Sequence, residues 1–326
     1  MLKKHLISGI TGQDGLFLSS ILLNAEKNVK ILGISRSKDN NSFYKKLRIL
    51  NNKINLDDIK IVNIDLGNKK EVHNLISEYE PDYVYNLSGP SSVYKSLNDG
   101  NETFNQIIEY FNNIINPIIE NNINCNFFQA SSSEMFDSSD SKLDESSIFK
   151  PRSPYAEAKL KIHNYIQELK EIKEINICSG IMFNHESEFR NEDYLIMKIV
   201  NSAILINQDK LESLTVGSLS LVRDWSYAGD VAQAIYKINK QNDNEDYVIG
   251  SGKGNNIETL VNIVFGYFDI DWKNFVHEDN ELLRSGDPSS IVADPAKLRN
   301  NLEWKPSVSV EEILIKCIEK KLSQKT

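Results

Sequence analysis

Tyr155 and Lys159 lie four residues apart in the run PRSPYAEAK. On a helix that spacing puts both side chains on one face, within reach of a single reacting atom. The chemistry it suits is proton removal by a phenolate, because a nearby ammonium favours the charged form and draws a tyrosine down from its ordinary pKa of about 10. Such a pair occurs on many surface helices and decides nothing alone. Upstream, however, the run FFQASSSEMF carries Ser132, a hydroxyl suited to bonding a substrate oxygen beside Tyr155, and then Glu134. A simple epimerase or reductase needs no carboxylate there, whereas elimination of water needs a base for a carbon-bound proton.

A second group of residues points to what such a base would work with. Gly9, Gly12 and Gly15 in GITGQDG stand between an apolar run and a helical pattern, where glycines permit a tight turn and close backbone approach to a pyrophosphate. The following helix would add its N–H groups and the positive end of its dipole. After the next apolar run comes Ser35-Arg36, with no acidic residue to accept from a free ribose 2'-hydroxyl. Arg36 suits a 2'-phosphate instead, which favours NADP over NAD.

The elements that must hold these groups follow from the hydrophobic pattern. Short apolar runs at 5–8, 29–34, 59–63, 83–87, 126–130 and 175–179 read as strands, with helical patterns between them, the signature of a parallel sheet. Leu16, Leu18, Ile21 and Leu22 stripe the first helix, and Val72, Leu75, Ile76 and Tyr79 a later one. The Asn-rich stretch 98–122 keeps Phe104, Ile107, Ile108, Phe111, Ile114 and Ile115 at helical spacing and is expected to be a helix. The fold class is therefore α/β, a doubly wound parallel sheet with its site at the carboxyl edge, joined to a smaller, partly discontinuous substrate-binding lobe. Residues 1–180, with a return of about 228–260, form the dinucleotide-binding domain; 181–227 and 261–326 form the lobe.

Composition narrows the partners. The formal charge of -9 argues against a nucleic-acid surface, which binds phosphates through clustered cations. Cys125, Cys178 and Cys317 are far apart, without metal-ligand spacing, and suit a reducing compartment. The amino-terminal apolar stretch is broken at Ser8, Gly9 and Thr11, and no segment reaches the roughly 20 apolar residues of a membrane helix, so a cytoplasmic protein is expected.

Taken in order, GITGQDG, VYNLSGPSSV, FFQASSSEMF, PRSPYAEAKL, GIMFNHES, LTVGSLSLVRDW, YVIGSGK and ADPAKLRNNLEWKP resemble the GDP-mannose 4,6-dehydratase family nearly end to end, within the extended short-chain dehydrogenases. The FNHES and VRDW blocks are the most specific. The resemblance implies catalytic roles for Ser132, in place of the family's Thr, and for Glu134, Tyr155 and Lys159. It places Gly9, Thr11, Gly12, Gln13, Asp14, Gly15, Arg36, Asp65, Leu66, Leu87, His185 and Arg190 around the cofactor. Ser88, Asn184, Lys198, Gly217, Arg223 and Arg284 fall on the GDP-sugar side. It implies a homo-dimer or homo-tetramer and no metal, since His185 has no partner at metal spacing. The implied reaction converts GDP-mannose to GDP-4-keto-6-deoxymannose. The alternatives are a C4 dehydrogenase, epimerase or reductase on another GDP-hexose or GDP-heptose, and a non-catalytic nucleotide sensor on the same scaffold. Departures occur at Pro90 and Ser92, where Gln and His are usual, and at Phe136-Asp137 for Tyr-Gly. Glu188, Phe189, Asn191 and Met197 replace Pro, Arg, Gly and Arg in a stretch that in the family bridges subunits near the cofactor.

Overall fold

The computed structural model describes residues 2–90, 96, 97, 99–138, 142–172, 175–283 and 286–324. The first six strands are β1 (Lys3–Ser8), β2 (Val29–Ser35), β3 (Ile59–Asn63), β4 (Tyr83–Asn86), β5 (Asn126–Ser132) and β6 (Asn176–Met182). They are followed by β7 (Asn184–Glu186), β8 (Leu214–Val216), β9 (Val222–Tyr227), β10 (Tyr247–Ile249), β11 (Gly254–Asn256), β12 (Val276–Glu278) and β13 (Ser290–Ile291). Seven of these form one parallel sheet in the order β10-β6-β5-β4-β1-β2-β3. Chain order reverses between β1 and β4, and in open α/β sheets that reversal leaves a crevice beyond the strand ends.

Apolar residues on both faces explain why the sheet is buried on both sides. On one face the helices Gln13–Ala25, Asn41–Leu50 and Ala228–Asn239 pack Leu16, Leu18, Leu47, Val231 and Ile235 against it. On the other, Lys69–Tyr79, Gly100–Glu120 and Pro154–Ile172 contribute Ile76, Ile107, Ile114, Ile162 and Ile166. Leu298 and Trp304 also pack into the first of these cores, so the chain returns to it beyond the expected 228–260. The lobe has its own core, where Leu195–Ile206, Ile257–Gly266 and Val310–Ser323 surround β9. β7 pairs with β9 from Asn184 to Glu186, tying the end of the large sheet directly to the lobe.

The strand ends differ from the sequence expectation in one useful way. β4 keeps partners on β5 only as far as Asn86 opposite Gln129, but β5 runs on to Ser132, opposite Met182 of β6. The polar run Ser131-Ser132 looked like the end of a strand by composition; the ladder with β6 carries it further, so Ser132 projects past its β4 neighbour into the crevice.

Candidate active site

Three local features place the catalytic group. Ser132 caps the short turn Ser133–Met135, its Oγ accepting from the Glu134 N–H at 3.3 Å, so one hydroxyl fixes the turn that carries the carboxylate. Ser153 starts the next helix by accepting from the Ala156 N–H at 3.1 Å, and Pro154 occupies the first helical position, where its missing donor costs nothing. Tyr155 thus sits in the first turn with Lys159 one turn later, both buried. The loop leading in is pinned by Phe136, stacked on Phe149 at 5.1 Å, and by Asp137, paired with Arg152 at 3.0 Å; these are the residues standing for the usual Tyr-Gly.

Lys159 donates to the Ala130 carbonyl at 2.8 Å, and the same carbonyl accepts from Gln129 Nε2 at 2.8 Å. Gln129 accepts from Asn86, whose Oδ1 accepts from both Ser8 and Ser88. This row of side-chain bonds crosses the ends of β1, β4 and β5 and ends on the acceptor that holds Lys159. Sequence reasoning missed it. The signal was available, since Asn86 and Gln129 are amides inside otherwise apolar strand runs, and a buried amide requires partners.

Burial is the leading influence on the charges of both groups. Burial pushes Tyr155 up to about 12, against the lowering by its bond to Ser132; Glu134 pushes it further up and Arg190 lowers it. Burial also lowers Lys159, to about 8. The ammonium donates to the Ala130 carbonyl and stands 5.7 Å from the Tyr155 ring centre.

A cleft of about 410 Å³ joins these groups to the lobe. Ser88, Ser132, Glu134, Tyr155 and Lys159 line one side; Asn184, Tyr194, Arg223, Trp225 and Asp287 line the other. Arg223 is buried, paired with Asp287 at 2.7 Å and donating to the Pro288 carbonyl at 2.9 Å. Leu87, Asp14, His185 and Arg190 also border the cleft. Lys198 and Gly217 lie outside its lining: Lys198 donates to the Thr215 carbonyl at 3.0 Å, and Gly217 packs beside Leu282 and Leu283. Arg284 and Ser92 fall outside the described residues.

The phosphate-binding turn fits a dinucleotide. Gly9 has φ +72°, and a Cβ there would meet the Leu87 carbonyl at 2.9 Å. At Gly15 a Cβ would strike the Ile10 backbone at 2.5 Å. Gly12 caps the helix Gln13–Ala25 with no side-chain bond, leaving its first N–H groups to an anion. Thr11 bonds Ser35 at 3.0 Å across the turn; Asp65 accepts from Tyr110, next to the exposed Arg36, and Leu66 is buried with its carbonyl held by Asn113. Among the described residues no three His, Cys, Asp or Glu side chains converge as a metal site, and no helix is long and apolar enough to cross a membrane.

Comparison with known proteins decides the family. The profile described as GDP-mannose 4,6 dehydratase matches residues 6–317. The chain belongs to the GDP-mannose 4,6-dehydratase family. GDP-mannose 4,6 dehydratase 2 of Arabidopsis thaliana is 31% identical over 98% of this chain and 87% of its own length. Among solved structures, dTDP-glucose 4,6-dehydratase from Bacillus anthracis in complex with NAD has a TM-score of 0.82 at 15% identity, covering 98% of this chain and 97% of that one. RMD from Pseudomonas aeruginosa complexed with NADPH has a TM-score of 0.80 at 18% identity, over 98% and 99%. Both share the fold.

Family membership gives the departures a setting. Phe189 is buried against Phe17 at 5.8 Å, Glu188 accepts from the Tyr227 hydroxyl at 3.2 Å, and Met197 is fully buried in the lobe core. These three residues pack within their own chain.

Proposed function

We propose that this chain is a GDP-sugar 4,6-dehydratase, most simply one that converts GDP-mannose to GDP-4-keto-6-deoxymannose with NADP. The observation that carries the reading is Glu134 on the same cleft wall as Ser132, Tyr155 and Lys159, together with membership of the family. What the nicotinamide supplies when bound is temporary storage of the C4 hydride, which returns at C6. Tyr155 Oη removes the C4 hydroxyl proton, and Ser132 donates to the developing charge on O4, a type of stabilisation that supplies several kcal/mol. The resulting ketone makes the C5 proton acidic. Glu134 takes it and delivers it to the C6 hydroxyl, which leaves as water. C5 is reprotonated from solvent, and Tyr155 releases the proton it holds, so the site ends as it began.

On the substrate side, Asn184 and Arg223, the latter oriented by Asp287, are donors suited to the diphosphate of GDP. Lys198, Gly217 and Arg284 are carried over on resemblance alone. Arg36 after β2, without an acid there, supports NADP, with NAD as the alternative. The reading includes a cytoplasmic homo-dimer or homo-tetramer. Pro90, at the cleft beside Ser88, makes the sugar the least constrained part.

Mass spectrometry of GDP-mannose incubated with the protein and catalytic NADP, with GDP-heptose in parallel, tests this. Loss of one water from either sugar is expected and names the substrate. Oxidation without water loss, or a change in configuration at unchanged mass, would replace it with a C4 dehydrogenase or an epimerase. No change with any nucleotide sugar would leave a nucleotide sensor.

A further inference from the structure

A buried set of charges, most of which resemblance places around the cofactor, also joins the phosphate-binding turn to the lobe. Asp14, in the first turn of the cofactor helix, contacts His185 Nε2 at 3.0 Å. The next residue, Glu186, pairs with Arg190 Nε at 3.2 Å, and the Arg190 guanidinium lies 3.5 Å from the centre of the Tyr194 ring. Gln13 ties the same two segments twice, donating to the His185 carbonyl at 2.9 Å and accepting from the Ser187 hydroxyl at 2.9 Å. His185 is held from its other side by its Nδ1 bond to the Phe183 carbonyl at 2.8 Å. Buried charges this deep are retained only when paired, and removing one partner leaves the other uncompensated.

The joined segments have different duties. The Gln13 side presents the helix terminus to the dinucleotide, whereas Asn184 and Tyr194 line the cleft on the side of Arg223. We propose that Asp14 is a positioning residue: through His185 it latches the segment 184–194 to the phosphate-binding turn, so that binding of dinucleotide and binding of GDP favour one and the same arrangement. The inference rests on the functional reading above, which puts those two ligands on the two sides of the latch. Two ligands that stabilise one arrangement raise each other's affinity by an equal factor.

The charge states agree with the geometry. Burial opposes both charges, but each partner outweighs it for the other, leaving Asp14 below and His185 above their ordinary ranges. The other groups facing His185 are Arg190, which opposes its charge, and Glu186, which burial raises. A histidine held above its ordinary value keeps its ion pair to higher pH than a free imidazole would and loses it as pH rises through the raised value.

The test is calorimetric titration of GDP into the protein alone and into protein saturated with NADP, at neutral pH. For wild type, NADP is expected to tighten GDP binding by about tenfold, within the usual range for coupled sites. Asp14→Asn and His185→Gln should each reduce that factor to about one, and the double variant should be no worse than either single, as partners in one interaction behave. In wild type the factor should also fall as pH is raised, which reads the latch even if a variant fails to fold. Coupling retained in both variants, or flat with rising pH, would overturn the latch while leaving the functional reading intact. Wild type that binds GDP and NADP without coupling overturns it equally. Wild type that binds neither removes the functional reading, and the latch with it.

Discussion

Glu134→Gln is expected to oxidise its substrate at C4 and then stop. The amide keeps the size of the carboxylate and the backbone bond from its own N–H to Ser132, so the turn and the hydroxyl beside Tyr155 stay in place. What is lost is the acceptor for the C5 proton, and a positioned acid–base group of this kind contributes about 10²- to 10⁴-fold. Dehydration should fall by about 10³-fold, in that range, while near-ultraviolet absorbance of reduced dinucleotide grows toward one equivalent per site. Undiminished water loss, or a variant that neither oxidises nor dehydrates, would remove Glu134 from the role assigned to it.

Tyr155→Phe should fail one step earlier. The ring packs in the core beneath the β5 side of the sheet, so a phenylalanine preserves the packing and deletes only the hydroxyl that meets Ser132. Turnover should drop by about 10³-fold, again the usual worth of such a group, with no reduced dinucleotide appearing and with GDP affinity unchanged. That pattern separates it from Glu134→Gln in one spectrophotometric experiment. Accumulation of reduced dinucleotide in Tyr155→Phe would mean that another group takes the O4 proton. The demand on this tyrosine is considerable. Each pKa unit costs about 1.4 kcal/mol, and burial holds the phenol at about 12, so ionisation at neutral pH depends on the donors and charges of the fully assembled site.

How far the sequence reached depended on the physical origin of each feature. The sheet was legible because β1 to β6 are apolar runs with turn residues between them, and burial on both faces leaves little freedom in composition. Tyr155 and Lys159 were legible because helical spacing is local and survives any tertiary context. Their electrostatics were not. Burial is the leading influence on both groups, and the ammonium donates to a carbonyl on β5, neither of which the spacing reveals. The Asp14–His185 contact was illegible for another reason. Asp14 reads locally as a phosphate-turn residue and His185 as part of FNHES, and only the pairing of β7 with β9 brings them together across 171 positions of sequence. Phe189, which departs from the family's usual residue, lies buried against Phe17 of its own chain, a contact its local sequence does not announce.

The central claim is that hydride leaves C4 and returns to C6 of the same sugar, with the C5 proton exchanged by way of Glu134. Its most direct test is a GDP-hexose carrying deuterium at C4, turned over in ordinary water with catalytic NADP, with a second reaction of unlabelled sugar in heavy water. The account predicts product with the deuterium retained at C6 in the first reaction, and deuterium incorporated at C5 in the second. Loss of the C4 deuterium to solvent, its retention on the dinucleotide, or a dehydrated product whose C5 hydrogen never exchanges would contradict it.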